Sequence, residues 1–176
     1  LKLNLKPKMC EVVTSRFNDE TLQANYSYRE KKNFPCMYCC PQKISAKIAY
    51  NTPVFVIEMN NSTNMIQGIG LIKNKSETTK YYKVHSDGNI NRYTYIGQYF
   101  ISRNILYELN SRLVHVLEEI LFKGKTHSKR GSGLMLIPQK VLKFDICKDL
   151  DIKKEIKQIF TCHYKDNFKK CTDEEN

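Results

Sequence analysis

Short apolar runs separated by polar turns fill residues 53–102, and hydrophobic positions then recur near every 3.6 residues, the clearest structural signal in the chain. Pro53-Val-Phe-Val-Ile-Glu-Met is β-branched and aromatic, as strands are. The polar stretch Asn60-Asn-Ser-Thr-Asn predicts a loop, and Met65-Ile-Gln-Gly-Ile-Gly-Leu-Ile-Lys the returning strand. In that strand Ile66, Gly68, Gly70 and Ile72 share one face, and Met65, Ile69 and Leu71 the other. Two glycines on one face permit a bulge, a sharp bend, or the close approach of another backbone or a ligand. Tyr81-Tyr-Lys-Val-His runs into Asp87-Gly88, a favoured hairpin dipeptide, and then into Arg92-Tyr-Thr-Tyr-Ile. After Gly97, residues 98–101 add a further strand. Four or five consecutive strands with short turns predict an antiparallel meander, curved enough to close a small β-barrel.

Beyond it, Ser102 is a suitable N-cap. Leu106, Leu109, Leu113, Leu117, Ile120 and Leu121 fall in one helical arc, with Glu108, Arg112, His115 and Glu119 opposite. Asn110-Ser111 is a candidate break in this helix and Gly124 a natural stop. A strand is expected at 134–137, a short segment opens at Pro138, and a second helix is expected at 151–160. Residues 1–35 read as an irregular arm with at most a strand around 11–17. Pro35 and Pro41 bracket a cysteine cluster that reads as a loop. Residues 36–165 then form a single α+β domain, a barrel or meander flanked by helices, and 166–176 a charged tail.

Net charge sharpens this picture. The chain carries 29 Lys and Arg against 18 Asp and Glu, a net +11, with the excess on both sides of the predicted sheet. Such a field attracts phosphates or anionic lipid heads, although a lysine-rich surface kept soluble by charge has the same composition. No apolar run reaches the ~20 residues of a bilayer span, so no membrane role is expected. The start LKLNLKPK lacks the apolar block of a secretory signal. Seven cysteines, an odd number in a chain of ordinary core size, suit a reducing compartment. The expected location is intracellular.

Motifs exclude more than they nominate. Pro35-Cys36-Met-Tyr-Cys39 is half of a zinc-deaminase signature, but the His-x-Glu that must precede it is missing, since the first histidine is His85. Cys36 and Cys39 retain the spacing of a structural zinc site, completed by Cys40, Cys162, His163 or Cys171, with reduced, partly buried thiols as the alternative. No cofactor is otherwise implied. Gly124-Lys125-Thr126 has the tail of a P-loop, but Glu119 stands where its first glycine belongs and the predicted helix precedes the motif instead of following it. Nothing nominates a nucleophile–base pair, so an enzyme acting on nucleic acid is the least supported class.

The strongest functional candidate is Lys123-Gly-Lys-Thr-His-Ser-Lys-Arg-Gly-Ser-Gly133. Lys123, Lys125, Lys129 and Arg130, with His127 among them, can lie along a phosphate backbone. The amides around Gly131 and Gly133 can bond phosphate oxygens. A solvated loop at a helix C-terminus, where cations are favoured anyway, is the competing explanation. Arg92, Tyr93 and Tyr95 in the neighbouring predicted hairpin add charge and stacking surface.

The run Val54-Phe-Val-Ile-Glu-Met…Ile66-Gln-Gly-Ile-Gly-Leu-Ile resembles the core hairpin of PUA-like domains, in particular their EVE and YTH branches. That resemblance covers about twenty residues. It implies a curved barrel flanked by helices that binds RNA or DNA, in some members a modified base held in an aromatic cage. Such cages are built largely from tryptophan, and this chain has none, so no cage residue carries over. Residues 36–138 also look like uncharacterised proteins of large nucleocytoplasmic DNA viruses, which places the protein in the cytoplasm, a viral factory or a virion. The leading expectation is a nucleic-acid-binding domain using the 123–133 loop and the open face of the sheet. The alternative is a viral structural or interaction protein whose basic surface meets an acidic protein partner.

Overall fold

The computed structural model describes residues 10–165. Among them five strands form one mixed sheet, β1 (Glu11–Phe17), β3 (Pro53–Asn60), β4 (Met65–Lys73), β6 (Tyr99–Ser102) and β7 (Met135–Leu136), in the order β6-β4-β3-β1-β7. A separate antiparallel ribbon pairs β2 (Cys36–Cys40) with β5 (Tyr93–Gly97). The helices are α1 (Asp19–Lys32), α2 (Arg103–Leu109), α3 (Ser111–Phe122) and α4 (Ile152–His163). β1 lies parallel to β3, and the crossover between them contains α1 and β2.

Strand alternation divides the core in two. Phe55, Ile57, Ile69 and Leu71 face α2, α3 and α4, where Leu113, Leu117, Ile120, Leu121, Ile156 and Phe160 fill the larger cluster. Val13, Val54, Val56 and Ile72 face the other way, onto Cys36, Tyr38, Cys40 and Tyr95 of the ribbon. Only Gln98 separates β5 from β6, so one stretch of chain leaves the ribbon and enters the sheet. Gly97 makes that corner: a Cβ there would lie 2.1 Å from the Leu71 carbonyl oxygen, so the two backbones can meet only at a glycine. The sheet thereby folds over itself, as in packings where a strand changes sheets at a bend. Among the described residues the strands do not close into a barrel.

Several expectations need correction. The supposed irregular arm is ordered from β1 through α1, while residues 1–9 and the 166–176 tail lie outside the described residues. β1 is buried at Val12, Val13, Thr14 and Ser15 in succession, the pattern of a strand covered on both faces. α1 is polar all round and buries only Asn25 and Arg29, so it has no apolar stripe to read. The cysteine cluster is a strand, not a loop. The meander is interrupted: β5 pairs with β2, and residues 81–85 form no strand. Asn91 is the reason, since its Oδ1 accepts from the Val84 and His85 amides and its Nδ2 donates to the His85 carbonyl. Leu109 is exposed, because the helix breaks at Asn110 and α2 leaves the line of α3.

The glycine face of β4 is filled from within. A Cβ on Gly70 would lie 2.2 Å from Tyr38 Oη, and one on Gly68 would lie 2.4 Å from the Phe100 ring. Opposite Gly68, the register slips by one residue between Glu58 and Met59, the bulge that the glycines permit. Fully buried Glu58 accepts from Arg29 at 2.8 Å, Tyr26 at 2.6 Å and Tyr38 at 2.8 Å. Arg29 also lies over the Phe100 ring at 4.5 Å. With α2–α4 on one side and α1 and the ribbon on the other, neither face of the sheet is open.

Candidate functional site

The 123–133 segment is a shaped loop, built by residues far from it in sequence. Arg16, near the end of β1, donates through Nη1 to the Ser128 carbonyl (3.1 Å) and through Nη2 to the Gly133 carbonyl (2.7 Å), with further bonds to Thr14. Asn61 donates to the Lys129 carbonyl and Gln42 to the Ser132 carbonyl. The Ser128 amide is spent on the Leu121 carbonyl, and the Lys129 amide on His127 Nδ1. His127 therefore serves as an acceptor inside the loop. The amides of Arg130, Gly131, Ser132 and Gly133 have no hydrogen-bond partner among the described residues, while the Ser132 and Gly133 carbonyls are occupied. Gly131 and Gly133 sit at φ +99 and +73, a conformation that other residues rarely adopt. Consecutive free amides whose neighbouring carbonyls are held back are groups that an anion could bond.

Charges around this loop are unequal. Lys123 is ion-paired with Glu119 and so is partly neutralised. Lys125, Lys129 and Arg130 have no carboxylate partner among the described residues. Arg16 itself has none either. Burial pushes its pKa down, and three main-chain carbonyls and the Thr14 hydroxyl take its four Nη hydrogen bonds.

At the start of β5 lies a cleft of about 400 Å³, lined by Lys43, the 76–81 segment and the 91–94 segment. Lys43 Nζ lies 5.6 Å, and Arg92 Cζ 5.7 Å, from the centre of the Tyr93 ring. Lys80 and Tyr81 stand on the rim, Tyr81 with 66% of its surface exposed. Glu77 is the one carboxylate in the lining; the Thr79 amide and hydroxyl bond it and hold its pKa below the usual carboxylate range. An exposed cation over an aromatic ring is worth about 0.5–1 kcal/mol, whereas a base stacked on that ring is worth about 1–3 kcal/mol. A base can therefore displace either cation from Tyr93. Cleft and loop adjoin: Tyr93 pairs with Cys40 across the ribbon, Gln42 reaches Ser132, and Gly133 packs against Gln42 and Cys40.

The structure thus joins the Gly133 end of the loop, through Gln42 and Cys40, to the ribbon that carries Arg92 and Tyr93. Tyr95 does not join them. It shares Tyr93's face of β5, two residues on, but lies deeper: its ring is buried in the core and its hydroxyl accepts from the Ile44 amide. Cys36 and Cys39 do not form a pair: three apart on a strand, they point to opposite faces. Cys36 contacts the Leu71 and Tyr99 carbonyls and Cys39 the Thr94 hydroxyl. Among the described residues no three His, Cys, Asp or Glu side chains gather as metal ligands. Burial drives the thiol pKa of Cys36 and Cys40 up to about 12 and that of Cys39 to about 11, which leaves all three poor nucleophiles near neutrality.

Sequence reasoning did not find Arg16, Asn61, Gln42, Lys43, Lys80 or Tyr81. Arg16 alone left a trace, a long cation inside a buried strand; the others sit in loops with no pattern. No helix of the described residues is long and apolar enough to cross a membrane. No protein-family model, curated protein or solved structure matches the chain with significance.

Proposed function

We propose that the chain binds nucleic acid, with the 129–133 loop holding backbone phosphate and the adjoining cleft contributing charge and stacking. The carrying observation is the loop itself: Arg16 and Gln42 hold the Gly133 and Ser132 carbonyls, while the four amides from Arg130 to Gly133 and the side chains of Lys125, Lys129 and Arg130 have no partner among the described residues. The resemblance of the β3–β4 hairpin to PUA-like domains supports the same class. The reading does not use a modified-base cage, because the glycine face of β4 is occupied by Tyr38 and Phe100.

Binding of labelled RNA and DNA oligonucleotides, followed by fluorescence anisotropy across a salt series, tests this. The expected outcome is affinity that falls steeply with salt and drops by at least tenfold when Lys125, Lys129 and Arg130 are all changed to Ala. Binding that ignores that triple change sinks the loop assignment. A protein complex that survives nuclease treatment, with no affinity for oligonucleotides, would favour an acidic protein partner instead.

A further inference from the structure

The lining of the cleft at Tyr93 bears on which form of nucleic acid it could take. Resting on the nucleic-acid-binding reading above, we propose that its preferred partner is a single strand, one of whose unpaired bases enters the cleft and stacks on Tyr93 while an adjacent phosphate rests on the 130–133 amides.

Three observations carry this. Tyr93 lines a cleft of about 400 Å³ and is half-buried where it packs against the core cluster of the ribbon, so a base must leave its own stack to reach it. In a duplex both faces of each base are already stacked and only edges are offered in the grooves. Next, the cations are arranged around a ring, with Lys43 and Arg92 both within 6 Å of the Tyr93 centre and Lys80 and Tyr81 on the rim. A cationic groove with aromatic platforms is how single strands are held without sequence readout. Finally, Glu77 lies in the same lining, held by Thr79. A carboxylate there repels a phosphate and accepts from a base, so the base and not the backbone occupies the cleft. The backbone is left to the loop, which Gln42 joins to the ribbon through its bond to Ser132.

The experiment compares one twelve-nucleotide sequence as single-stranded RNA, single-stranded DNA and the two matching duplexes, by anisotropy at fixed salt. Wild type is expected to bind at least one single strand about tenfold more tightly than its duplex. Tyr93→Leu, which keeps an apolar strand residue, is expected to lose about tenfold on the single strand and little on the duplex, with an unchanged salt slope. Circular dichroism confirms that the variant is folded. Should it be unfolded, Arg92→Ala with Lys43→Ala, both exposed side chains, is expected to lower the preference for single strand over duplex in the same comparison, with a flatter salt slope because two cations are gone. Equal affinity for single strand and duplex, or a folded Tyr93→Leu that binds like wild type, overturns the single-strand proposal alone. Absence of binding to any of the four nucleic acids overturns the nucleic-acid reading as a whole.

Discussion

Glu58 is fully buried on the inner face of β3, and its two carboxylate oxygens accept from Arg29, Tyr26 and Tyr38. Those partners come from α1 and β2, so this one side chain ties both elements to the sheet. Glu58→Ala leaves the Arg29 guanidinium buried without its counter-charge, and the expected cost is about 3–5 kcal/mol in urea unfolding. A loss below 1 kcal/mol would show that the helix is held by other contacts. The buried thiols predict a pH effect of definite sign. Cys36, Cys39 and Cys40 have folded pKa values of about 11 to 12, above the ordinary thiol value of 9.0. The unfolded chain therefore loses these protons first as pH rises. Stability is fully present below pH 9 and falls between about 9 and 12, with Tyr26 and Tyr38 shifted in the same direction. Thermal unfolding measured from pH 7 to 11 should show a monotonic decline, and a thiol reagent at pH 8 should label exposed Cys162 well ahead of Cys36 and Cys40 in the folded chain.

Element by element, what could be read in advance follows from where each fold-determining contact lies. The β3–β4 hairpin, the α2–α3 break at Asn110 and the helix capped by Asp151 were legible because their signals are local: β-branched runs around a polar turn, a cap and a 3.6-residue period. β1 too falls where a strand was expected, although its central place in the sheet was not foreseen. α1 and β2 were missed because a polar helix and a cysteine-rich strand acquire their meaning only from partners distant in sequence. The basic loop was legible in composition but not in shape, since its form is set by Arg16 more than a hundred residues earlier. That makes the clamp testable. Arg16→Met removes the donors that hold the Ser128 and Gly133 carbonyls and frees the loop locally. At roughly 1–3 kcal/mol of lost local stability, trypsin should cut after Lys129 or Arg130 on the order of tenfold faster. Nucleic-acid affinity should fall in the same variant although no exposed charge has been removed. Unchanged cleavage would mean that Asn61 and Gln42 suffice to hold the loop.

At the scale of the molecule, the question is whether net charge or arrangement makes the surface functional. A net charge of +11 attracts polyanions wherever it sits, so weak binding alone distinguishes nothing. The loop separates the two contributions because its shape can be altered without touching its charge. Gly131 has φ +99, a conformation that alanine rarely adopts, so Gly131→Ala strains the 130–133 backbone while every cation stays in place, and the exposed Met135 side chain can swing clear of the added Cβ. If the free amides engage phosphate, this variant loses affinity by about tenfold or more, as expected for the loss of one hydrogen bond to a charged acceptor. Its dependence of log affinity on log salt keeps the wild-type slope, because no ion contact is lost. The Lys125, Lys129 and Arg130 triple alanine variant is expected to lose affinity and, in contrast, to flatten the slope by about one unit per phosphate contact removed. A Gly131→Ala chain that is folded and binds like wild type would reduce the surface to undirected charge.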